Sequence, residues 1–193
     1  DFRNYWKQML HEMFHFKPRK PTKFLQGGQT IDLGTVTVDV LATPGHTPGH
    51  LAFFFRKPKV LFIGDYDLTR FGPWYGDAHS SIEETVDSVN RLKGIPADVF
   101  LASHETGVFV GDPGKLWGDY LEVINERERK LLDLLKRPKT MKEIVGSWIV
   151  YGREREPKAF FEFGEQALME KHMERLIKSG SVVRNEDQYV RMG

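Results

Sequence analysis

The amino-acid sequence predicts a mixed α/β domain followed by a smaller, mainly helical domain. Up to residue 115, short apolar segments typical of β-strands alternate with segments of helical period. After Pro113-Gly114 the composition changes, and longer segments of helical period take over. The chain has 193 residues, of which 40% are hydrophobic and 12% aromatic, which is enough to pack a core. We therefore expect one domain at residues 1–115 and a second at residues 116–193.

Charge and residue usage exclude several classes of protein. Lys and Arg number 28 against 27 Asp and Glu, so no strong positive field favours nucleic acid. The absence of cysteine excludes disulfides, thiolate metal sites and a Cys nucleophile, and it fits a reducing compartment. The longest apolar runs, such as 51–55, are far shorter than the roughly 20 residues that cross a bilayer. No signal-peptide pattern opens the chain, so we expect a cytoplasmic protein without a membrane segment.

The first domain combines two predicted helices with a sheet. Apolar residues at spacings of three and four predict a helix over residues 2–16, which the Lys17-Pro18 pair ends. Alternating or continuous apolar runs predict strands at 35–41, 51–55, 60–63 and 98–103. The second and third of these lack polar alternation, which predicts a hairpin buried on both faces. A helix over 81–92, capped by Ser80 or Ser81, precedes the last strand.

The second domain is predicted to hold three helices and a hairpin. Helical period predicts a long helix over 116–137 and a later one over 165–179. Between them, the capping-box pattern Thr140-Met141-Lys142-Glu143 opens a short helix that extends to about residue 149. Two short apolar runs at 182–184 and 189–191 follow and predict a hairpin. This order is typical of a winged helix-turn-helix.

Three strand ends each carry a side chain able to bind a metal ion. One strand leads into the loop Thr43-Pro44-Gly45-His46-Thr47-Pro48-Gly49-His50, which two prolines that fix φ and two glycines that permit tight turns predict to be tight and rigid. The next strand ends at Gly64-Asp65, and the last predicted strand of the domain ends at His104. Side chains at such ends meet at one rim of a sheet. Two imidazoles and a carboxylate suit a divalent cation that assists hydrolysis.

These segments resemble the last three metal-binding motifs of the metallo-β-lactamase superfamily, in order and in spacing. The resemblance covers about residues 24–110, and some members also carry a winged helix after a long helix with an Arg-Glu-rich start, as at 125–129. It implies the C-terminal half of an αββα sandwich followed by a winged helix-turn-helix domain. It also implies a hydrolase whose metal-bound hydroxide attacks an ester, thioester, lactam or phosphodiester of a small molecule.

The resemblance assigns roles to individual residues. His46 and His104 would bind separate metals, and Asp65 would bridge them as both ligand and catalytic residue, while His50 matches a frequent position that is not a ligand. The cofactor would be two divalent ions per intact site, zinc before iron or manganese. The superfamily's leading signature, His-x-His-x-Asp-His, is absent, because no two histidines here are two residues apart.

The absent signature gives two further expectations. We expect the chain, which opens with Asp instead of Met, to be the C-terminal part of such a hydrolase, with limited activity by itself. Half of a two-sheet sandwich would expose an apolar face, so we expect residues 36–63 to be covered by a second copy or by a missing N-terminal half.

Several other histidines have simpler explanations than a role in a metal site. His11-Glu12-Met13-Phe14-His15 is a literal zinc-protease motif, but Pro18 follows closely and an ordinary amphipathic helix is favoured. His79 is expected to be capped or solvated, and His172 to be a surface or packing residue. Phe71, Trp74 and Tyr75 would either line a pocket or pack beneath a loop.

The alternative function is a non-enzymatic module that binds nucleic acid or protein through the winged helix. Residues 139–193 hold ten Lys and Arg against nine Asp and Glu, which is too small an excess for strong phosphate binding. Lys171, Arg175 and Lys178 form one basic face of the last helix, but Glu170 and Glu174 dilute it. We favour a packing, dimerising or substrate-restricting role for this domain.

Overall fold

The computed structural model describes residues 2–105 and 107–192 of the chain. A six-stranded sheet and a three-stranded sheet form, with helices before, between and after their strands. The elements in chain order are α1 (Phe2–Glu12), β1 (Thr30–Asp32), β2 (Thr37–Ala42), β3 (Leu51–Phe55), β4 (Val60–Gly64), α2 (Ile82–Lys93), β5 (Val99–Ala102), β6 (Val108–Val110), α3 (Leu116–Leu134), β7 (Lys139–Thr140), α4 (Met141–Val145), α5 (Lys158–Lys178), β8 (Val182–Asn185) and β9 (Gln188–Arg191).

The larger sheet runs in the order β1-β2-β3-β4-β5-β6 and is antiparallel except at one pair. Strands β4 and β5 are parallel, because α2 crosses over between them. One face of the sheet packs on α2 and α3 to form a core of ten buried residues: Ala52, Leu61, Ile63, Tyr66, Leu68, Val89, Leu92, Phe100, Trp117 and Tyr120. The ends of β2, β4 and β5 lead into the segments that carry His46, Asp65 and His104.

Sequence and structure agree closely on α2. The hydroxyl of Ser81 accepts a hydrogen bond from the amide of Glu84 at 3.2 Å, as an N-cap does, and Glu83 lies in the first turn. Gly94 follows the last turn as the C-cap. The helix over 81–92 is therefore confirmed within one residue at each end.

The prediction that β3 and β4 are buried on both faces is wrong for the described residues. Ala52 in β3 is fully buried, but Phe53 and Phe55, on the opposite face, are only partly buried. In β4, Leu61 is buried, whereas Phe62, which lies on the same face as Phe53, is partly buried. Helices α2 and α3 pack on the side of the sheet that Ala52 and Leu61 occupy. Coverage of the other side by a second copy or by further sequence stays a prediction.

The first predicted helix is shorter than expected. Its backbone leaves helical geometry after Glu12, and His15 takes a positive φ of 48°. Trp6 packs against Phe163 of α5, with the ring centroids 5.0 Å apart. The Trp6 position of the apolar stripe therefore contacts α5. None of the described helices is long and apolar enough to cross a bilayer.

The C-terminal region has its own core. The smaller sheet has the order β7-β9-β8, and α3, α4 and α5 pack beside it. The capping box is confirmed, since the Thr140 hydroxyl and the Glu143 carboxylate satisfy each other's backbone amides. Seven buried residues form this core: Leu131, Leu135, Ile144, Met169, Met173, Leu176 and Val182. The boundary between residues 115 and 116 stays a prediction.

Three helix boundaries in this region differ from the sequence prediction. Helix α3 ends at Leu134, earlier than residue 137, and α4 ends at Val145, earlier than residue 149. Helix α5 begins at Lys158, earlier than residue 165. Gly164, which precedes the expected start, lies inside α5, and the Tyr151 ring packs directly against it. A bulkier residue there would meet the Tyr151 hydroxyl.

A buried polar cluster joins α5 to the first part of the chain. His172 is fully buried, so of the two expected positions, surface or packing, the structure shows the packing one. Its Nε2 lies 2.8 Å from the Tyr75 hydroxyl, and its Nδ1 lies 3.3 Å from a carboxylate oxygen of Glu128. Arg175 also contacts Glu128, at 3.4 Å. His172 lies on the apolar stripe of α5, four residues from both Leu168 and Leu176, so its burial follows the helical period.

We expect this cluster to make stability depend on pH. Burial lowers the pKa of His172, while Glu128 opposes that effect without overcoming it. The unfolded state therefore binds the proton more readily, and stability should fall as pH drops through about 6.5, the imidazole value of an unfolded chain. The Tm should decrease from about pH 8 to about pH 5.5, as measured by circular dichroism.

The variant His172→Gln should flatten this slope without abolishing it. The pKa of His50 is also lowered by burial, and the lowered pKa of Glu128 adds acid sensitivity at lower pH. Burial raises the pKa of Glu165, which acts in the opposite direction because its protonated form is favoured in the folded state. An unchanged slope in His172→Gln would contradict the prediction.

Candidate metal centre

The loop after β2 is fixed by hydrogen bonds to its backbone. The Tyr66 hydroxyl, fully buried, donates to the carbonyl of Pro44 at 2.8 Å and accepts from the amide of His46 at 3.2 Å. The Ser88 hydroxyl of α2 donates to the same Pro44 carbonyl at 2.7 Å. His46 therefore stands on a backbone with little freedom, as the two prolines and two glycines predicted.

The His46 ring lies between two acceptors. Its Nδ1 is 3.1 Å from the backbone carbonyl of Trp74, and its Nε2 is 3.1 Å from Oδ2 of Asp65. A neutral ring carries one proton, so a ring that donates from Nδ1 to the carbonyl directs the Nε2 lone pair toward the carboxylate. Such a contact requires a cation between nitrogen and oxygen, either a second proton or a metal ion.

Asp65 stands between the two predicted histidine ligands. Its Oδ1 lies 3.2 Å from Nε2 of His104, while Oδ2 faces His46. Two ligands of one ion, each about 2.1 Å from it and separated by an angle between 90° and the tetrahedral value, lie roughly 3.0–3.4 Å apart. Each imidazole–carboxylate pair therefore fits half of a metal site in distance and in donor type.

His46, Asp65 and His104 lie in a row with Asp65 in the middle, and they do not enclose a single ion. Across residues 2–105 and 107–192, no group of three or more His, Asp or Glu side chains is arranged to hold one metal ion by itself. The row is open to solvent, because the side chain of His104 is 61% exposed and that of Asp65 is 33% exposed. Further ligands are needed to complete either half-site, and water or a substrate can reach both.

His50 supports Asp65 from behind. Its Nε2 accepts a hydrogen bond from the backbone amide of Asp65 at 3.1 Å, and its Nδ1 lies 3.1 Å from the Thr43 carbonyl. A neutral ring with the proton on Nδ1 satisfies both contacts. Burial is the main cause that lowers the pKa of His50, which favours this neutral form. Within the structure, His50 orients the backbone of Asp65 and is placed behind the row.

Gly64 permits the close approach of His50. Its φ is +61°, and a Cβ at this position would lie 2.5 Å from Nε2 of His50. We expect Gly64→Ala to destabilise the fold by at least about 2 kcal/mol, from backbone strain plus displacement of the ring. Denaturant unfolding measures this loss. Gly28→Ala is the matched control, since φ is +88° there but nothing lies within 4 Å, and an equal loss in both variants would contradict the steric argument.

The other histidines of the first region lie apart from this row. Helix α1 ends at Glu12, so His11 and His15 do not share one helix face, and both are exposed. This supports the ordinary amphipathic helix over the zinc-protease motif. His79 is exposed, as expected. Tyr75 packs beneath the loop with its side chain fully buried, whereas Phe71 is 38% exposed.

Sequence reasoning missed the groups that orient the ligands. The acceptor that orients His46 is the backbone carbonyl of Trp74, and a backbone group cannot be recognised from the residue type. Tyr66 and Ser88 carried no motif, although their hydroxyls fix the His46 loop. The repeat of Pro-Gly-His at 44–46 and 48–50 was the one available signal for His50 as a second functional ring.

Comparisons with known proteins find relatives for a large part of this chain. A family model of the metallo-β-lactamase superfamily matches residues 2–104. A hydroxyacylglutathione hydrolase of Francisella philomiragia is 32% identical over 83 residues, which cover 42% of this chain and 32% of that protein. One of Methylococcus capsulatus is 38% identical over 85 residues, with 42% and 32% covered. The matches thus span about a third of the length of these relatives.

Solved structures extend the similarity over the whole chain. A metallo-β-lactamase family protein of Thermus thermophilus has a TM-score of 0.71 and 26% identity, covering 99% of this chain and 64% of that one. A β-lactamase domain protein of Burkholderia ambifaria has a TM-score of 0.69 at 20% identity, with 99% and 59% covered, and shows the shared fold alone. Because the family model matches more than half of the 193 residues, the chain belongs to the metallo-β-lactamase superfamily.

Proposed function

We propose that this chain supplies part of the dinuclear metal centre of a hydrolase, with His46, Asp65 and His104 as ligands. The observation that carries the proposal is the carboxylate of Asp65, which turns one oxygen toward each imidazole at 3.1 and 3.2 Å. A bridging carboxylate has this geometry, with one oxygen for each of two cations. The superfamily binds divalent metals, commonly zinc, and iron and manganese are the alternatives.

The chain's own residues prepare this centre for hydrolysis. Bound metal would lower the pKa of a water molecule to about 7 and polarise the scissile bond. The Trp74 carbonyl holds the His46 ring, and His50 holds the backbone of Asp65, so both donors are oriented before any ligand binds. The exposure of His104 leaves room for a substrate beside the row.

We propose a thioester as the substrate class. Support comes from the relatives named hydroxyacylglutathione hydrolase, which match at 32–38% identity over partial lengths. An oxygen ester, a lactam or a phosphodiester are the other bonds that the same chemistry cleaves.

We further propose that residues 116–193 form a winged helix-turn-helix domain that packs on the hydrolase domain. Support comes from the order helix α3, strand β7, helices α4 and α5, and hairpin β8-β9, with β9 between β7 and β8. Two of the three residues on its basic face point toward the first part of the chain. Lys171 donates to the Ala78 carbonyl at 3.0 Å, and Arg175 contacts Glu83 and Glu128. This favours a packing role over nucleic-acid binding.

Metal analysis and a substrate panel test the proposal together. The protein is purified without chelator, and zinc, iron and manganese are measured by mass spectrometry. Thiol release from a hydroxyacylglutathione is then compared with hydrolysis of an oxygen ester, a β-lactam and a phosphodiester. We expect bound divalent metal and the highest kcat/KM on the thioester. A protein that binds none of these metals, even after incubation with each, would overturn the proposal.

A further inference from the structure

We propose that Arg127 of α3 is a positioning residue for His46, acting through the segment 71–75. The inference rests on the proposed function in one respect, namely that His46 is a metal ligand. It gives α3 a role in the metal centre, although α3 follows all three proposed ligands in the chain.

The Arg127 side chain is buried, with 2% of its surface exposed. Its Nη2 donates to the Phe71 carbonyl at 2.6 Å, and its Nη1 donates to the Pro73 carbonyl at 3.1 Å and to the Tyr75 hydroxyl at 3.0 Å. The guanidinium also lies over the Phe71 ring, 4.9 Å from its centroid. Arg127 thus binds residues 71, 73 and 75, on both sides of Trp74.

The position of Trp74 decides where the His46 ring points. The Trp74 carbonyl faces Nδ1 of His46 at 3.1 Å, so a shift of this peptide would release the ring from the orientation that turns Nε2 toward Asp65. A rigid planar fork can hold several acceptors in one geometry, which a lysine ammonium cannot reproduce. Arg127 therefore fixes the backbone that fixes the ligand.

The contact between Arg127 and Tyr75 is supported by residues of α5 and α3. The Tyr75 hydroxyl, which accepts from Arg127, also lies 2.8 Å from His172 of α5, and His172 contacts Glu128 beside Arg127. Within the described parts of the chain, Arg127 forms no ion pair, and its donors go to carbonyls and a hydroxyl. Arg127 therefore serves to hold the 71–75 backbone in place, and α3 and α5 together support the segment that contacts His46.

The test compares metal affinity in two arginine variants of the same helix. Arg127→Lys is measured beside Arg129→Lys, an exposed arginine that pairs with Glu122 at 2.8 Å. Zn²⁺ affinity is obtained by competition with a chromophoric chelator, and the Tm of each protein is recorded. We expect Arg127→Lys to weaken Zn²⁺ binding about 10–100-fold, as loss of an outer orienting contact does. Arg129→Lys should stay within about twofold of the unmodified protein.

A double-mutant cycle separates positioning from general stability. If Arg127 acts through His46, Arg127→Lys should have little further effect on Zn²⁺ affinity once His46→Ala is present, yet keep its full effect beside His104→Ala. Equal effects in both backgrounds, or unchanged affinity in Arg127→Lys, would overturn the inference. If Arg127→Lys does not fold, Tyr75→Phe decides, with an expected loss of about 2–10-fold from one missing hydrogen bond, and unchanged affinity there would overturn the inference.

The two proposals fail in different ways. If His46→Ala binds Zn²⁺ as tightly as the unmodified protein, the proposed function fails and the role of Arg127 falls with it. If His46→Ala loses affinity but the Arg127 and Tyr75 variants do not, the proposed function stands and only the positioning role is refuted.

Discussion

Replacing Asp65 by asparagine is expected to weaken divalent-metal binding by more than about 100-fold. Even the loss of a residue that only hydrogen-bonds to a ligand lowers metal affinity roughly 10–100-fold. The carboxylate serves His46 with one oxygen and His104 with the other. An amide offers one oxygen and one NH₂ group, which cannot bind a cation on both sides, and it removes the negative charge. Zn²⁺ affinity and hydrolysis of the preferred substrate should fall together, and calorimetry with an enzyme assay measures both.

The matched control for this variant is Asp98→Asn. Asp98 is also an aspartate next to the larger sheet, directly before β5, but its side chain is 69% exposed and pairs weakly with Lys59 at 3.8 Å. Its replacement should leave Zn²⁺ binding within about twofold, as expected for a surface pair. If Asp65→Asn binds Zn²⁺ like Asp98→Asn, Asp65 is no bridging ligand.

Replacing Trp117 by alanine is expected to destabilise the protein by about 3–5 kcal/mol, the usual loss for a large buried aromatic. Trp117 of α3 is 1% exposed and packs edge-on against Phe100 of β5, with ring centroids 5.7 Å apart. Its indole nitrogen also donates to Asp112 at 3.3 Å, so the truncation removes packing and a hydrogen bond. Urea unfolding followed by circular dichroism measures the free energy of unfolding.

The control for this truncation is Phe24→Ala. Phe24 is also aromatic but 79% exposed, so its removal should change the free energy of unfolding by no more than about 0.5 kcal/mol. A loss below about 1 kcal/mol in Trp117→Ala would mean that α3 does not complete the core of the larger sheet.

The sequence predicted those parts of the fold whose signals are local. Ser81 and the capping box at Thr140 mark helix starts because short polar side chains there satisfy free amides. The rim that carries His46, Asp65 and His104 was also predictable, since each follows a recognisable strand and the structure brings all three within 3.2 Å of a neighbour. Their role as ligands stays a prediction.

The missed features depend on tertiary contacts. Strands β1, β6 and β7 have two or three residues and form only because a neighbouring strand pairs with them. Arg127 and His172 each occupy a position on the apolar stripe of its helix, but the hydrogen-bond partners that let these polar side chains be buried come from docking on the 71–75 segment, which the sequence does not reveal. For the same reason, the apolar stripe of α1 gave no hint that its partner is α5.

Anomalous diffraction from crystals grown with Zn²⁺ tests the central claim most directly. The account predicts peaks at the row, one within bonding distance of Nε2 of His46 and Oδ2 of Asp65, and one beside Nε2 of His104. Zinc bound only elsewhere, for example by His11 and His15, with His46 and Asp65 in direct contact through a proton, would contradict the account.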